Sequence, residues 1–345
     1  MNTRDKQPTI NDVAAAAGVS KRTVSRVINN SDKVNETTRA RVQEVIEQLK
    51  FVPNRQARGL AASRSYLVGL VYDNPTLFIS GIQKGVLKVC GEAGYELVVH
   101  VCPSEQEGAL ENIIGFIKRA KIDGLIILPP VSEVSGLPKA LEQIGCDYVR
   151  FTSEVDDEPL RLVTTDYLPA ISDLTNHLVE LGHRDIAFIA GPQTNISSRL
   201  RHEAFIQALA SHGLELAPEM VAQGAFTYES GVQAGKQLLS LGHRPTAIFA
   251  ANDEMAFGVM NVADAMGIRV PDDLSVVGFD GTRFSVFVIP SLSTIIRRTG
   301  EMASLATQKL LAQIERGPDA AGEFETLVSP SFLPRESTGP APGRK

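Results

Sequence analysis

The stretch "GVSKRTVSRVINN", residues 18–30, divides its apolar and basic residues between two sides of a helix. With Ser20 as N-cap and a helix running on from Lys21, the Ser20 hydroxyl accepts from an orphan amide of the first turn, and Gly18-Val19 ahead of it suits a tight turn. Val24, Val27 and Ile28 then fall at i, i+3 and i+4, while Lys21, Arg22, Ser25, Arg26 and Asn29 lie opposite. Upstream, "TINDVAAAA" supplies Thr9 as N-cap, Asp12 three residues later, and Ile10, Val13, Ala14 and Ala17 on one side of a short helix. Two short helices joined by a three-residue turn make a helix-turn-helix, whose second helix enters the DNA major groove. Arg and Lys there pair with guanine O6 and N7, and Ser and Asn reach bases or phosphates. On this stretch alone, an ordinary helical bundle with a solvated basic face remains an alternative.

Charge placement separates the two. Residues 1–64 carry a net charge of +6 and the remaining 281 carry −12, so the whole-chain value of −6 hides a basic head on an acidic body. That asymmetry is the footprint of one nucleic-acid-binding module attached to something else. "NETTRARVQEVIEQLK" adds a third helix, with Asn35 as cap and Val42, Val45, Ile46 and Leu49 as its buried stripe, and completes a head over residues 1–52. In "FVPNRQARGLAASRS", residues 51–65, Pro53 opens a short helix kept basic by Arg55, Arg58 and Arg64 and interrupted by Gly59. A helix of about nine residues is not stable alone in water, so residues 53–65 are expected to be a hinge that folds only when held.

The composition, 43% hydrophobic and 21% charged over 345 residues, excludes disordered and fibrous classes and leaves room for two or three domains. No apolar run is long enough for a membrane span and the N-terminus has no signal-peptide pattern, so a cytoplasmic location is expected. Cys90, Cys102 and Cys146 stand apart without metal-ligand spacing and are expected to be buried, reduced thiols. No metal site or cofactor is expected.

From Tyr66 onward short apolar runs alternate with helical stretches: "YLVGLVY", "YELVVHV", "DGLIILPP", "DYVRF", "RLVTT", "DIAFIAG", "TAIFAAND" and "DLSVVGFD". This βαβ pattern makes a parallel sheet, and its length predicts two doubly wound lobes over residues 66–336, followed by a disordered tail, 337–345. Gly94, Gly182, Gly242 and Gly267 are expected to be left-handed helix caps, and His183 and His243 in the repeated "LGHR" to be cations at helix C-termini. Open parallel sheets bind ligands at the carboxyl ends of their strands. The residues there are Asp73 and Phe78, then Asp166, Arg201, Asn252 with Asp253, and Asp280, with Phe226 and Tyr228 in nearby loops. Separated carboxylates, an Arg, an Asn and flat aromatic surfaces suit a polyhydroxylated ring. Asp166 and Asp253 read equally well as loop salt bridges or helix caps. No nucleophile elbow, triad or phosphate loop is present, which argues against an enzyme.

The sequence resembles transcriptional regulators of the lactose-repressor (LacI/GalR) family along nearly its whole length. The similarity runs through "TINDVAAAAGVSKRTVSRVINNSDKVNETTRARVQEVIEQLKFVPNRQARGL" and, in order, "LVELGHRDIAFIAGP", "SSRLRHEAF", "PTAIFAANDEMAFGVM", "LSVVGFDGT" and "STII". The resemblance implies an all-α helix-turn-helix head with a hinge helix, then an α/β body of two doubly wound lobes like those of periplasmic binding proteins. It implies a DNA-facing set of Thr9, Ser20, Lys21, Arg22, Thr23, Ser25, Arg26, Asn29, Asn54, Arg55, Ala57 and Leu60, with Leu60 entering the minor groove. For a small effector it implies Arg201, Asn252 and Asp280, with Phe226 and Phe78. The implied partners are a pseudo-palindromic operator, a saccharide effector and a second copy of the chain. A purine or other non-sugar effector, and a sugar-binding protein without a regulatory role, are the competing readings. The first-strand loop reads "YDNPTLFIS", a departure from the family's commoner pattern, and the chain has no Trp.

Overall fold

The computed structural model describes residues 8–28, 31–51, 64–152 and 159–343. Asn29 and the hinge residues Asn54, Arg55, Ala57 and Leu60 lie outside them. The chain divides into two compact units, Met1–Tyr66 and Leu67–Lys345.

In the first unit, α1 (Ile10–Ala16), α2 (Lys21–Ile28) and α3 (Glu36–Gln48) close on Val13, Ala14, Val24, Val27, Val42, Val45 and Phe51. Each helix start follows from its cap. Thr9 and Asp12 form a reciprocal capping box, the Ser20 hydroxyl accepts from the Thr23 amide at 3.1 Å, and Asn35 Oδ1 accepts from Thr38 at 2.9 Å. The turn between α1 and α2 is a left-handed cap: Gly18 has φ of 63°, its amide donates to the Ala15 carbonyl, and Val19 donates to that of Ala14.

The second unit holds two parallel sheets. The first contains β1 (Leu67–Tyr72), β2 (Glu96–Val101), β3 (Gly124–Ile127), β4 (Asp147–Phe151) and β5 (Leu162–Val163) in the order β2-β1-β3-β4-β5. The second contains β6 (Ile186–Ala190), β7 (Val221–Gln223), β8 (Ala247–Ala250), β9 (Ser275–Asp280), β10 (Ser293–Ile296) and β11 (Ser331–Leu333) in the order β11-β10-β9-β8-β6-β7. Among the described strands only the β10–β11 pair is antiparallel. The same winding thus occurs twice, and each sheet has its topological switch point beside its first strand, between β1 and β3 and between β6 and β8. The helices α4 (Leu77–Ala93), α5 (Ala109–Ala120) and α6 (Leu137–Gln143) follow strands of the first sheet. The second sheet carries α7 (Leu168–Glu180), α8 (Ile196–Ala210), α9 (Tyr228–Leu239) and α10 (Asp253–Ala265). The last helix, α11 (Thr299–Arg316), returns to pack on α4, β3 and β4 of the first lobe. Three crossings, near residues 164, 298 and 327, therefore join the lobes.

Several expectations need correction. The segment 337–343 is not a disordered tail. The Ser337 amide donates to Ser291 O at 2.9 Å, its hydroxyl donates to Val276 O at 2.6 Å, and Ala341 donates to Leu181 O at 2.8 Å. Hydrogen bonds from small polar residues hold it where apolar periodicity is lacking. His183 is fully buried between Thr246 Oγ1 and Ser275 Oγ, both at 2.9 Å, and burial pulls its pKa down, so it is a neutral core residue and not a helix-end cation. His243 instead meets Asp185 at 2.8 Å. Gly94, Gly182 and Gly267 take the left-handed conformation, whereas Gly242 does not. The run "RLVTT" pairs with β4 only through Leu162 and Val163, because Thr164 turns to an isolated parallel bridge with Leu327, donating to Thr326 O at 2.7 Å. All three cysteines are free and buried, and burial pushes the thiol pKa of Cys90 to about 11 and that of Cys146 to about 12.

Candidate functional sites

On the head, Lys21 and Arg22 are exposed at the start of α2, and Thr23, Ser25 and Arg26 are half-buried along the helix, while Val24 and Val27 face the core. The hydroxyls of Thr9 and Ser20 are committed to their caps, so these two residues set where α1 and α2 begin. Two guanidiniums and an ammonium thus stand on one side of a rigid, capped helix that is long enough for two turns.

In the second unit, the carboxyl ends of both sheets open onto one cleft of about 300 Å³, the lower limit of small-ligand pockets. The first lobe lines it with Asp73, Asn74, Phe78, Leu128, Pro129, Pro130 and Phe151, and the second with Asn195, Ser197, Arg201, Phe226, Asn252 and Asp280. The first-lobe wall thus combines an apolar patch of Phe78, Leu128, Pro129, Pro130 and Phe151 with polar Asp73, Asn74, Thr76 and Glu105, whereas the second is largely polar. Asp73, Phe78, Arg201, Phe226, Asn252 and Asp280 are brought together as the sequence suggests. Asp166 is not: it is exposed away from the cleft, and its Oδ1 accepts from the Leu168 amide at 3.1 Å ahead of α7. The early end of β5 is the reason, since residue 166 sits on the crossing and not at a strand end.

Arg201, near the middle of α8, is 3% exposed. One of its terminal nitrogens donates to the Ala251 carbonyl, and its guanidinium lies 3.9 Å from the centroid of Phe279. Asn252 caps α10 by accepting from Met255 at 3.0 Å and donates to the Phe226 carbonyl at 2.9 Å. It thereby holds Phe226, whose φ is 62°, with its ring over Gly191. A Cβ at Gly191 would fall 2.2 Å from that ring, so no other residue fits there without moving it. Asp253 lies behind the cleft, accepting from Thr294 Oγ1 at 2.6 Å and from the Thr282 amide at 2.7 Å. Burial, reinforced by the charge of Asp280, raises its pKa to about 7. Glu254 reaches across the lobes to accept from the Leu77 amide at 2.9 Å, at the N-terminus of α4.

Sequence reasoning missed Arg297. It follows β10, is 5% exposed, and stacks its guanidinium 4.2 Å from the Phe78 centroid. The strand-end rule that found Arg201 and Asp280 reaches it once "STII" is read as a strand. Tyr167 was also missed: it is buried beside Arg201 and Arg297, 5.4 and 5.9 Å from their guanidiniums. No group of His, Cys, Asp and Glu among the described residues could hold a metal ion, and no described helix is long and apolar enough to cross a membrane.

A helix-turn-helix head with a basic outer face, joined to a two-lobed body that closes on a small-molecule cleft, defines a ligand-responsive DNA-binding regulator. Residues 9–54 match the family described as "Bacterial regulatory proteins, lacI family", and residues 175–338 match "Periplasmic binding protein-like domain". The chain is 32% identical over 336 residues to the "Probable HTH-type transcriptional repressor ExuR" of Bacillus subtilis (strain 168), covering 95% of this chain and 98% of that one. It is 35% identical over 322 residues to the HTH-type transcriptional regulator CelR of Thermobifida fusca, covering 90% and 94%. Among solved structures it is similar to a CelR–cellobiose complex (TM-score 0.70, 31% identity, 96% and 99% covered). It is also similar to a lac repressor dimer bound to operator and the anti-inducer ONPF (TM-score 0.77, 29% identity, 97% and 100% covered). The chain belongs to the lacI family of bacterial transcription regulators.

Proposed function

We propose that this regulator binds a two-fold operator as a homodimer and releases or tightens on it when a saccharide occupies the interlobe cleft. The observation that carries the effector reading is the cleft itself. A buried Arg201 on α8, Asp280 at the end of β9 beside it and an aromatic ring at Phe226 line one lobe, facing the apolar patch of the other. A sugar ring has this duality, with hydroxyls at its edge and C–H groups on its face. The similar CelR structure holds cellobiose, which supports the same ligand class here.

On DNA, Lys21, Arg22 and Arg26 read bases, Ser25 meets a base or phosphate, and Thr9, Ser20 and Thr23 fix the helix in register. Asn29, Asn54, Arg55, Ala57 and Leu60 complete the proposed interface. Pairing of half-sites requires two heads. The loop between β9 and β10 offers a surface for that: Val286, Phe287 and Ile289 are 51%, 70% and 96% exposed. The loop is held by Ser285, which accepts from Leu292 at 2.7 Å and from Arg335 at 2.7 Å. A rigid, exposed apolar patch of this kind marks an interaction site.

Thermal-shift screening of the full-length protein against saccharides and nucleobases tests the effector class, because a ligand that binds only the folded state raises the melting temperature. Stabilisation by a saccharide is expected. Stabilisation by nucleobases alone overturns the saccharide reading and leaves the DNA-binding role intact.

A further inference from the structure

Resting on that reading, we propose that the effector is an acidic saccharide, a monoanionic sugar acid whose carboxylate sits between Arg201 and Arg297 at the cleft floor. Both guanidiniums are at least nine-tenths buried and both line the cleft. Among the described residues, the one carboxylate paired with both is Asp280, whose Oδ1 lies 3.8 Å from Arg201 and 3.7 Å from Arg297. These are ion-pair distances, too long for hydrogen bonds. Accordingly, Arg201 Nε, Arg297 Nε and Asp280 Oδ1 have no hydrogen-bond partner among the described residues, and neither does the hydroxyl of Ser197 on the same wall. Guanidiniums remain charged in proteins, so the trio is net positive whether or not Asp280 is ionised. A second buried cation beyond what one carboxylate neutralises is costly unless an anion completes the set.

The surroundings agree. Burial pushes the phenol of Tyr167 up, while the positive charges of the adjacent Arg297 and Arg201 pull its pKa below the ordinary value. The acidic groups of the cleft other than Asp280, Asp73 and Glu105, belong to the first lobe, where Asp73 Oδ1 already accepts from Ser104 at 2.9 Å. A ligand with its carboxylate on the second lobe and its hydroxyls toward the first meets complementary groups at both ends. The stacking of Arg297 on Phe78, and of Arg201 on Phe279, keeps both cations in place before the ligand arrives. With Asp280 ionised, the trio's one net positive charge also matches a carboxylate better than a phosphate dianion.

Titration calorimetry on the full-length protein decides it, with D-glucuronate, D-galacturonate and D-gluconate set against D-glucose and D-galactose. At least one acid is expected to bind tighter than its neutral parent by about tenfold or more, which is ~1.4 kcal/mol, and the difference is expected to shrink in high salt. In Arg297→Gln the acid loses more affinity than the parent, while Arg269→Gln, which removes an exposed charge outside the cleft, alters neither. A melting curve without ligand confirms that each variant is folded. Neutral sugars binding as tightly as their acids, or undiminished acid preference in Arg297→Gln, overturns the acidic class and leaves the saccharide reading standing. No binding by any member of the panel at millimolar concentration, with nucleobases binding instead, overturns both.

Discussion

Arg22, with Lys21, is one of the two exposed cations at the N-terminal end of α2, the part of a recognition helix that meets base edges. If it pairs with a guanine, Arg22→Ala costs roughly 1–3 kcal/mol at the cognate operator and relaxes preference at one position per half-site. Fluorescence anisotropy on operator and random duplexes checks this, and equal weakening on both reduces Arg22 to a phosphate contact. Asp253 carries a pH-dependent consequence. Its pKa is raised on folding to about 7, so the folded state takes up a proton and this residue's contribution to stability falls as pH rises from about 4 through 7. In Asp253→Asn the amide oxygen can still accept from Thr282 and the NH2 can donate to Thr294. The melting temperature of the variant should therefore decline less than the wild type between pH 4 and pH 7 in parallel thermal melts. An identical pH profile would show that Asp253 is ionised without penalty.

Elements differ in how far the sequence reveals them. Helix caps were legible because Thr9, Ser20 and Asn35 act on amides three residues away, a purely local matter. Gly18 is a similar case: its φ of 63° with open space around a built Cβ means that only backbone strain opposes a side chain. Gly18→Ala should cost the head roughly 1–2 kcal/mol, measured as a lower denaturation midpoint, and an unchanged midpoint would mean that the turn relaxes. Long strands rich in Val and Ile were legible too. The short strands β7, β10 and β11 were not, since three or four residues carry no periodicity and their pairing is decided by distant chain. Missing β10 hid Arg297, and overextending β5 placed Asp166 wrongly at the cleft. Segment 337–343 escaped for a different reason: hydrogen bonds to His183, Ser291 and Leu181 hold it, and these partners lie far away in sequence.

At the scale of the whole molecule, a regulator needs two heads at a fixed spacing and a body whose lobes respond to a ligand. The dimer surface proposed on the β9–β10 loop answers the first need. Phe287→Asp should shift the protein toward monomer in sedimentation velocity and weaken operator binding with it, whereas a stable dimer in this variant places the interface elsewhere. The three lobe crossings, with Glu254 bonded to Leu77 across the cleft edge, serve the second, because any ligand that prefers one lobe arrangement shifts the population between them. The most direct test measures operator affinity by anisotropy, using a duplex selected by the protein from a random pool, with and without the saccharide that stabilises it best, for wild type and Arg201→Ala. The expected result is a shift in operator affinity of about fivefold or more in the wild type and none in Arg201→Ala. Operator affinity that stays the same while the cleft is saturated would contradict ligand control of DNA binding.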